Sequence, residues 1–470
     1  MSERLSAASE PTAYQQDLAR SLTLRENIMI TLSAVTPASS VFIIVPAVIA
    51  GIGGASAVAF AAAAVAGIFM AFCYSELSSA FPVTGGEYAF AARTLGRATG
   101  FALFTLTLIG AVLIAGVIAL GTGDYLGVAW PALSGKGVGV AVLLITMVIA
   151  ILNIRTNAWV TGVFLAIELI AVAVLAVLGV THVSQPVSTL WTPQVAGHGG
   201  VLTGVSWGFV SSFTATALFG YNGYGTAVYY SEETRQATRM IGRAIMVSLA
   251  VTVAAELIPL VCVLLGTPSL PKLLSSPAPM NYFLLSRGGR VVNVLVSLGI
   301  AVAIFNAVIA IMLQTGRLLF SSARDRSWPD AIGRPLARVH PRLRTPLAAT
   351  LVAGIAAAIV AWFVPLKVLI IATGANVTLI YLLVGLSALV GRARGRTARA
   401  AYRMPAWPLA PVLVLAIMAY VIYQTLATDW VPMAVSLAIL AAGYLYYFVY
   451  IHPRRATRWT LPDPIHEEPE

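Results

Sequence analysis

An all-α polytopic membrane protein is the fold class this sequence predicts, and three observations predict it. Of 470 residues, 59% are hydrophobic and only 10% are charged, whereas a soluble chain carries about 25% charged residues. The apolar residues gather into runs of the length a helix needs to span a bilayer, about 20 residues. The basic residues fall between these runs in the order that membrane topology requires. A cytosolic enzyme, a secreted domain and a disordered chain are excluded together, because too little polar surface is present to face water.

Twelve segments qualify as transmembrane helices: 27–50, 57–81, 98–122, 138–154, 158–180, 206–230, 241–266, 291–320, 346–363, 367–391, 407–427 and 431–451. They are too long for the strands of a membrane barrel, and they lack the alternation of such strands. With the N-terminus placed inside, 24 of the 29 Lys and Arg residues fall in inside segments and five outside. An even number of spans with both termini cytoplasmic follows from the excess of positive charge in cytoplasmic loops. The net charge of +11 is thus read as topology and not as a nucleic-acid surface.

The pieces between the spans complete the order. A polar cytoplasmic tail covers 1–26 and another covers 452–470. The stretch Thr181 to Leu202, with His182 and His198, reads as an exposed outer loop. The segment Ser276 to Ser286 is too short to span and reads as a short helix over the outer face. Cys73 and Cys262 lie in apolar runs without CxxC spacing and read as free thiols. No set of metal ligands and no secretory signal is apparent; the first apolar run is long enough to be a retained span.

Two spans carry interruptions. The first contains Thr36-Pro37-Ala38-Ser39-Ser40, where proline removes a backbone donor and crowds the preceding turn. The sixth contains Gly220-Tyr221-Asn222-Gly223-Tyr224-Gly225, three glycines in six residues, which weakens a helix. Each opens a half of five spans, 27–180 and 206–391. Paired interruptions in corresponding spans point to a transporter binding site, because unwound backbone is tolerated at membrane depth only where it lines a polar cavity. Half-helix ends offer N–H groups to an anion and carbonyls to a cation. The alternative is a pair of kinked, tightly packed helices.

Three stretches resemble one family. Glu76-Leu77-Ser78-Ser79-Ala80-Phe81-Pro82-Val83-Thr84-Gly85-Gly86-Glu87-Tyr88, with Gly96 and Gly100-Phe101, is similar to the signature after the second helix of amino acid–polyamine–organocation permeases. Ser231-Glu232-Glu233-Thr234, followed by Arg239, Arg243, Ala244 and Ile245, resembles that family's end of helix six. Arg317-Leu318-Leu319-Phe320, Ala323-Arg324-Asp325, Trp328-Pro329, Val339-His340-Pro341-Arg342 and Arg344-Thr345-Pro346 resemble its loop after helix eight. The resemblance implies a LeuT-type fold: two inverted five-helix repeats, with helices over 407–451 added outside. It implies secondary active transport of amino acids or related amines by alternating access. The first break departs from the family's usual glycine-rich form.

Candidate residues follow from the breaks and the buried polar groups. Ser39 and Ser40, with the backbone of Thr36, Ala38 and Val41, are expected to meet a substrate carboxylate. Phe219, Gly220, Tyr221, Asn222, Gly223 and Tyr224 are expected to supply carbonyls and aromatic faces to an amine. Asn306 and Asn376 are polar residues in apolar runs; interhelical hydrogen bonding is their ordinary role, and Asn306 is also a candidate to meet the substrate. Asp124 lies near the outer end of the third span and reads as solvated. Glu168 and Glu256 lie mid-span, where an ionisable residue is a functional hypothesis by default, here proton coupling. For Glu168 the family resemblance adds support, although lysine also occurs at that place. For Glu76 the family resemblance implies a structural or gating carboxylate, paired with a cytoplasmic arginine that the sequence does not single out.

No nucleophile elbow, HExxH or P-loop is present, so neither an enzyme nor an ATP-driven pump is expected, and no cofactor. The reading is a permease of the bacterial inner membrane carrying an amino acid, by symport or antiport, with protons and the lipid bilayer as its other partners. A polyamine or organic-amine transporter or exchanger is the first alternative. A channel or transporter-like sensor is the second.

Overall fold

The computed structural model describes residues 22–82, 85–152, 158–197, 201–231, 233–343 and 345–461. Val83, Thr84, Arg155, His198, Glu232, Arg344 and the outer parts of both tails, all used in the sequence reading, lie outside the described residues. Among the described residues nine helices are long and apolar enough to cross a membrane: Leu24–Ile52, Ser56–Ala80, Arg97–Ala129, Gly162–Thr181, Ala237–Gly266, Pro279–Arg324, Leu366–Ala393, Leu409–Thr428 and Trp430–Arg454. Lys136–Ile151 and Leu347–Phe363 are shorter apolar helices. The stretch 206–230 is divided into helices Trp207–Ser212 and Thr214–Tyr221 and the 3-10 segment Tyr224–Tyr230. Large apolar side chains such as Phe363, Val291 and Leu445 point outward and are mostly exposed. Such a surface suits lipid, not water, and the chain is a multi-pass membrane protein.

Helix ends follow local chemistry. The first helix begins earlier than the apolar run suggests because Thr23 and Glu26 form a capping box, with the Thr23 N–H donating to Glu26 Oε2 at 2.8 Å. Pro279–Arg324 is two helices joined at Gly289, whose φ of 75° only glycine adopts readily. The stretch 276–286 enters the first of these. The loop after Thr181 holds a 3-10 turn, Val187–Trp191, and an antiparallel strand pair, Gln194–Ala196 with Leu202–Gly204, in which Val195 faces Thr203.

Burial separates core helices from peripheral ones. The most apolar windows of Leu24–Ile52 and Leu366–Ala393 are 78% buried, against 22% for Trp430–Arg454. Arg97–Ala129 packs on Pro279–Arg324, and Ala237–Gly266 packs on both Ser56–Ala80 and Ala158–Thr181. After the exposed residues 452–457 the chain returns to the helices at one point. Trp459 is fully buried against Phe101, with ring centroids 5.1 Å apart, and its backbone N–H donates to the Asp325 carbonyl at 2.9 Å.

Candidate functional site

The first helix stops where its sequence cannot continue. Thr36 takes left-handed angles, φ 49° and ψ 70°, and its N–H closes the preceding turn on the Leu32 carbonyl at 2.9 Å. Pro37 opens a new short helix, Pro37–Ser39, followed by a π-helical turn over Ser40–Ile44 and the helix Val45–Ile52. Pro46 explains the wide turn: it has no N–H to offer the Phe42 carbonyl four residues back. The Tyr125 hydroxyl, from Arg97–Ala129, donates to that carbonyl instead.

The second break is opened by Asn222 and Gly223. Asn222 is extended, with φ −62° and ψ 145°, and Gly223 has φ 120°. A Cβ on Gly223 would stand 2.9 Å from Val35 Cα, so glycine is required both by conformation and by the approach of the first break. Ser40 Oγ then donates to the Gly220 carbonyl at 2.8 Å. The two interruptions, 180 residues apart, therefore lie against each other and share a hydrogen bond.

A cavity opens beside this junction. Its volume is about 90 Å³, against the roughly 10–15 Å³ that one water needs on the same measure, so it holds a small solute. Thr36 and Ser40 reach it from the first break, and Phe219, Asn222 and Gly223 from the second. Of the other residues expected at the substrate, Ala38, Ser39, Val41, Gly220, Tyr221 and Tyr224 stand behind the lining, as does Asn306. Ser39 Oγ is engaged with Thr36 Oγ1 at 2.8 Å. Asn376 lines the cavity instead of Asn306, and neither polar atom of its side chain has a hydrogen-bond partner. Gln314, Thr107, Tyr381 and Glu87 are among the other polar residues of its lining, with Tyr74 and Tyr229. The sequence reading missed these because their place depends on helix rotation and on a loop; Glu87 alone had a signal, its position in the quoted motif.

The two mid-span acids do not line the cavity. Glu168 is fully buried behind the first break, where the Thr36 hydroxyl and the Ala38 N–H face it, and neither of its oxygens forms a hydrogen bond. Glu256 is fully buried at the junction: the Ser40 hydroxyl faces it, and a Cβ on Gly220 would lie 3.2 Å from its Oε2. Its oxygens are also without partners. Glu76 differs. Its Oε2 accepts from Arg392 at 3.1 Å and from the Met404 N–H at 2.9 Å, and its Oε1 from Thr397 Oγ1 at 2.8 Å. Arg392 is thus the arginine that the sequence left open.

Glu87 sits in the first turn of the short helix Gly86–Thr94, between two long helices. Its Oε1 accepts from the Tyr74 hydroxyl at 2.9 Å, and its Oε2 accepts from the Tyr229 hydroxyl. Burial pushes this carboxyl above the usual range, against the pull of its hydrogen bonds from Tyr229, the backbone and Tyr74.

A bundle of apolar helices with two breaks in contact beside a small cavity is the architecture of a membrane transporter for small molecules. Comparison with known proteins agrees. The sequence model of the amino acid permease family matches residues 22–442, and the chain belongs to that family, within the amino acid–polyamine–organocation superfamily. It is similar to a methylthioribose transporter of Bacillus subtilis, 25% identical over 95% of this chain and 96% of the relative. It is also similar to a branched-chain amino acid permease of Bacillus subtilis, 23% identical over 84% of this chain and 85% of that one. A serine/threonine exchanger of the same organism is 25% identical over 80% of this chain and 83% of its own. The protein is a transporter and not an enzyme.

Proposed function

We propose that the chain is a secondary active carrier of an amino acid, working by alternating access in a bacterial inner membrane with both termini cytoplasmic. The observation that carries the reading is the contact of the two breaks, through Ser40 and Gly220 and through Gly223 and Val35, beside a cavity of about 90 Å³. Thr36, Ser40, Asn222 and the surrounding backbone receive the charged groups of the substrate, and Phe219 covers it. The architecture proposed is twelve spans, with repeats over 27–180 and 206–391 and two helices over 407–451. Glu168 and Glu256 are the proton-coupling candidates: each is buried beside a backbone break with oxygens that lack partners, the setting in which an intramembrane acid takes and gives a proton. Glu76 holds the segment after Leu366–Ala393 in place by its bonds to Arg392, Thr397 and Met404, and acts in gating through that segment.

A second reading is favoured by the relative that matches 95% of this chain, a transporter of methylthioribose. A carrier of such a solute needs neither a carboxylate nor an amine on its substrate. Purified protein in liposomes, preloaded with each of the standard amino acids, several polyamines or methylthioribose, distinguishes the readings by counterflow. Uptake stimulated by an amino acid on the opposite side is expected. Stimulation by methylthioribose alone favours the second reading, and saturation without counterflow by any solute overturns a carrier.

A further inference from the structure

Among the described residues lining the cavity, Glu87 is the one acidic or basic side chain. Resting on the amino acid reading above, we infer that Glu87 sets the charge selectivity of the carrier, admitting neutral and cationic amino acids and turning away acidic ones. Two sets of polar residues line the cavity. One set, Thr36, Ser40 and Asn222, comes from the breaks; the other is Glu87 on the short helix Gly86–Thr94, Tyr74 on Ser56–Ala80 and Tyr229 on the segment that follows the second break. Each oxygen of Glu87 accepts from a tyrosine hydroxyl. The two hydroxyls favour the ionised carboxyl, against the burial that opposes it. Neutral hydroxyls place the charge without cancelling it.

The placement is built and not accidental. Gly86 has φ 57°, and a Cβ there would stand 2.7 Å from the Tyr229 ring, so the glycine lets that ring lie against the turn that presents Glu87. Glu87 itself is only 8% exposed. A charge with so little water around it is weakly screened, and it acts on a solute in the adjoining cavity far more than a surface charge does. A second carboxylate on a substrate side chain is repelled there, whereas an ammonium is drawn in. Discrimination of this kind is achieved by the repulsive element.

The test uses three amino acids of similar length and different net charge: L-glutamine, L-ornithine and L-glutamate. Binding to the purified full-length protein is read from the concentration dependence of its thermal stabilisation. Wild type should bind glutamine and ornithine at least about tenfold more tightly than glutamate, the size of effect one close charge produces. In Glu87→Gln the glutamine-to-glutamate ratio should fall to within about threefold. In Tyr229→Phe, which keeps the charge, the exclusion of glutamate should persist. Equal binding of glutamate and glutamine by wild type overturns the inference without any variant, and so does an unchanged ratio in Glu87→Gln. Loss of the exclusion in Tyr229→Phe would move the role to the hydroxyl and overturns it as well. Binding of none of the three, together with counterflow by no amino acid, overturns the amino acid reading and this inference with it.

Discussion

Glu76 and the pair Glu168 and Glu256 are all buried acids, none more than 1% exposed, and their surroundings could hardly differ more. Three donors hold both oxygens of Glu76, one of them the Arg392 guanidinium. Among the described residues no hydrogen bond of ordinary geometry reaches the four oxygens of Glu168 and Glu256, although the Thr36 hydroxyl and Ala38 N–H face the one and the Ser40 hydroxyl the other. A buried carboxylate with a full set of donors is a fixed part of the architecture. A buried carboxyl without one is costly to keep, and it persists where something else is gained from it. The fixed acid ties a loop to a helix end, whereas the two unpartnered acids stand beside the breaks. The contrast separates a buried acid held by a full set of donors from two that are not.

The largest effect should come from breaking the fixed site. Glu76→Ala leaves Arg392 and two further donors without their acceptor, and loss of one partner from a buried pair costs about 3–5 kcal/mol. Unfolding of the detergent-solubilised protein should show that loss, and a change under about 1 kcal/mol would end the contrast drawn here. Asp325 offers an intermediate case outside the long helices. Burial, opposed by Arg324 and Arg93, pushes its carboxyl up to about 6 from the usual 3.8. The folded state then holds the proton more tightly than the unfolded chain. Stability should therefore fall as pH rises from about 4 to about 6, and the loss should be complete above that, at most about 3 kcal/mol. Asp325→Asn should flatten this slope; an unchanged pH profile would remove Asp325 from the comparison.

At the breaks, stability should change less and transport more. Asn222→Leu puts an apolar side chain into a cavity whose backbone groups need a polar partner, so substrate binding should be lost while membrane insertion survives. Wild-type affinity in that variant would leave the interruptions as packing features. Glu168→Gln should have the smallest effect on stability, within about 1 kcal/mol, because no hydrogen bond is given up. If Glu168 couples protons, the variant should keep substrate exchange and lose accumulation driven by a pH gradient. Retained gradient-driven accumulation would pass the role to Glu256, for which Glu256→Gln is the same measurement.

Much of this was legible in the residues. Composition and apolar run length define a helical membrane protein, because a bilayer accepts only backbones that satisfy their own hydrogen bonds. Pro37 and the Gly220 to Gly225 run mark the breaks, since proline lacks a donor and glycine lacks a side chain. Motifs around Glu76, Ser231 and Arg317 indicate the family. These signals are local or periodic, so they survive without coordinates.

Contacts between distant segments were not legible. That Gly223 meets Val35, that Ser40 bonds the Gly220 carbonyl and that Arg392 answers Glu76 depend on how helices hundreds of residues apart are rotated and stacked. An apolar run in a membrane bundle carries a weak rotational signal, because lipid and protein interior are both apolar. The sequence therefore could not say that Asn376 and not Asn306 turns to the cavity, or that Glu168 and Glu256 stand behind its wall. Glu87 shows the same limit: it was written inside a family motif, and only the packing of Tyr74 and Tyr229 brought its charge to the cavity.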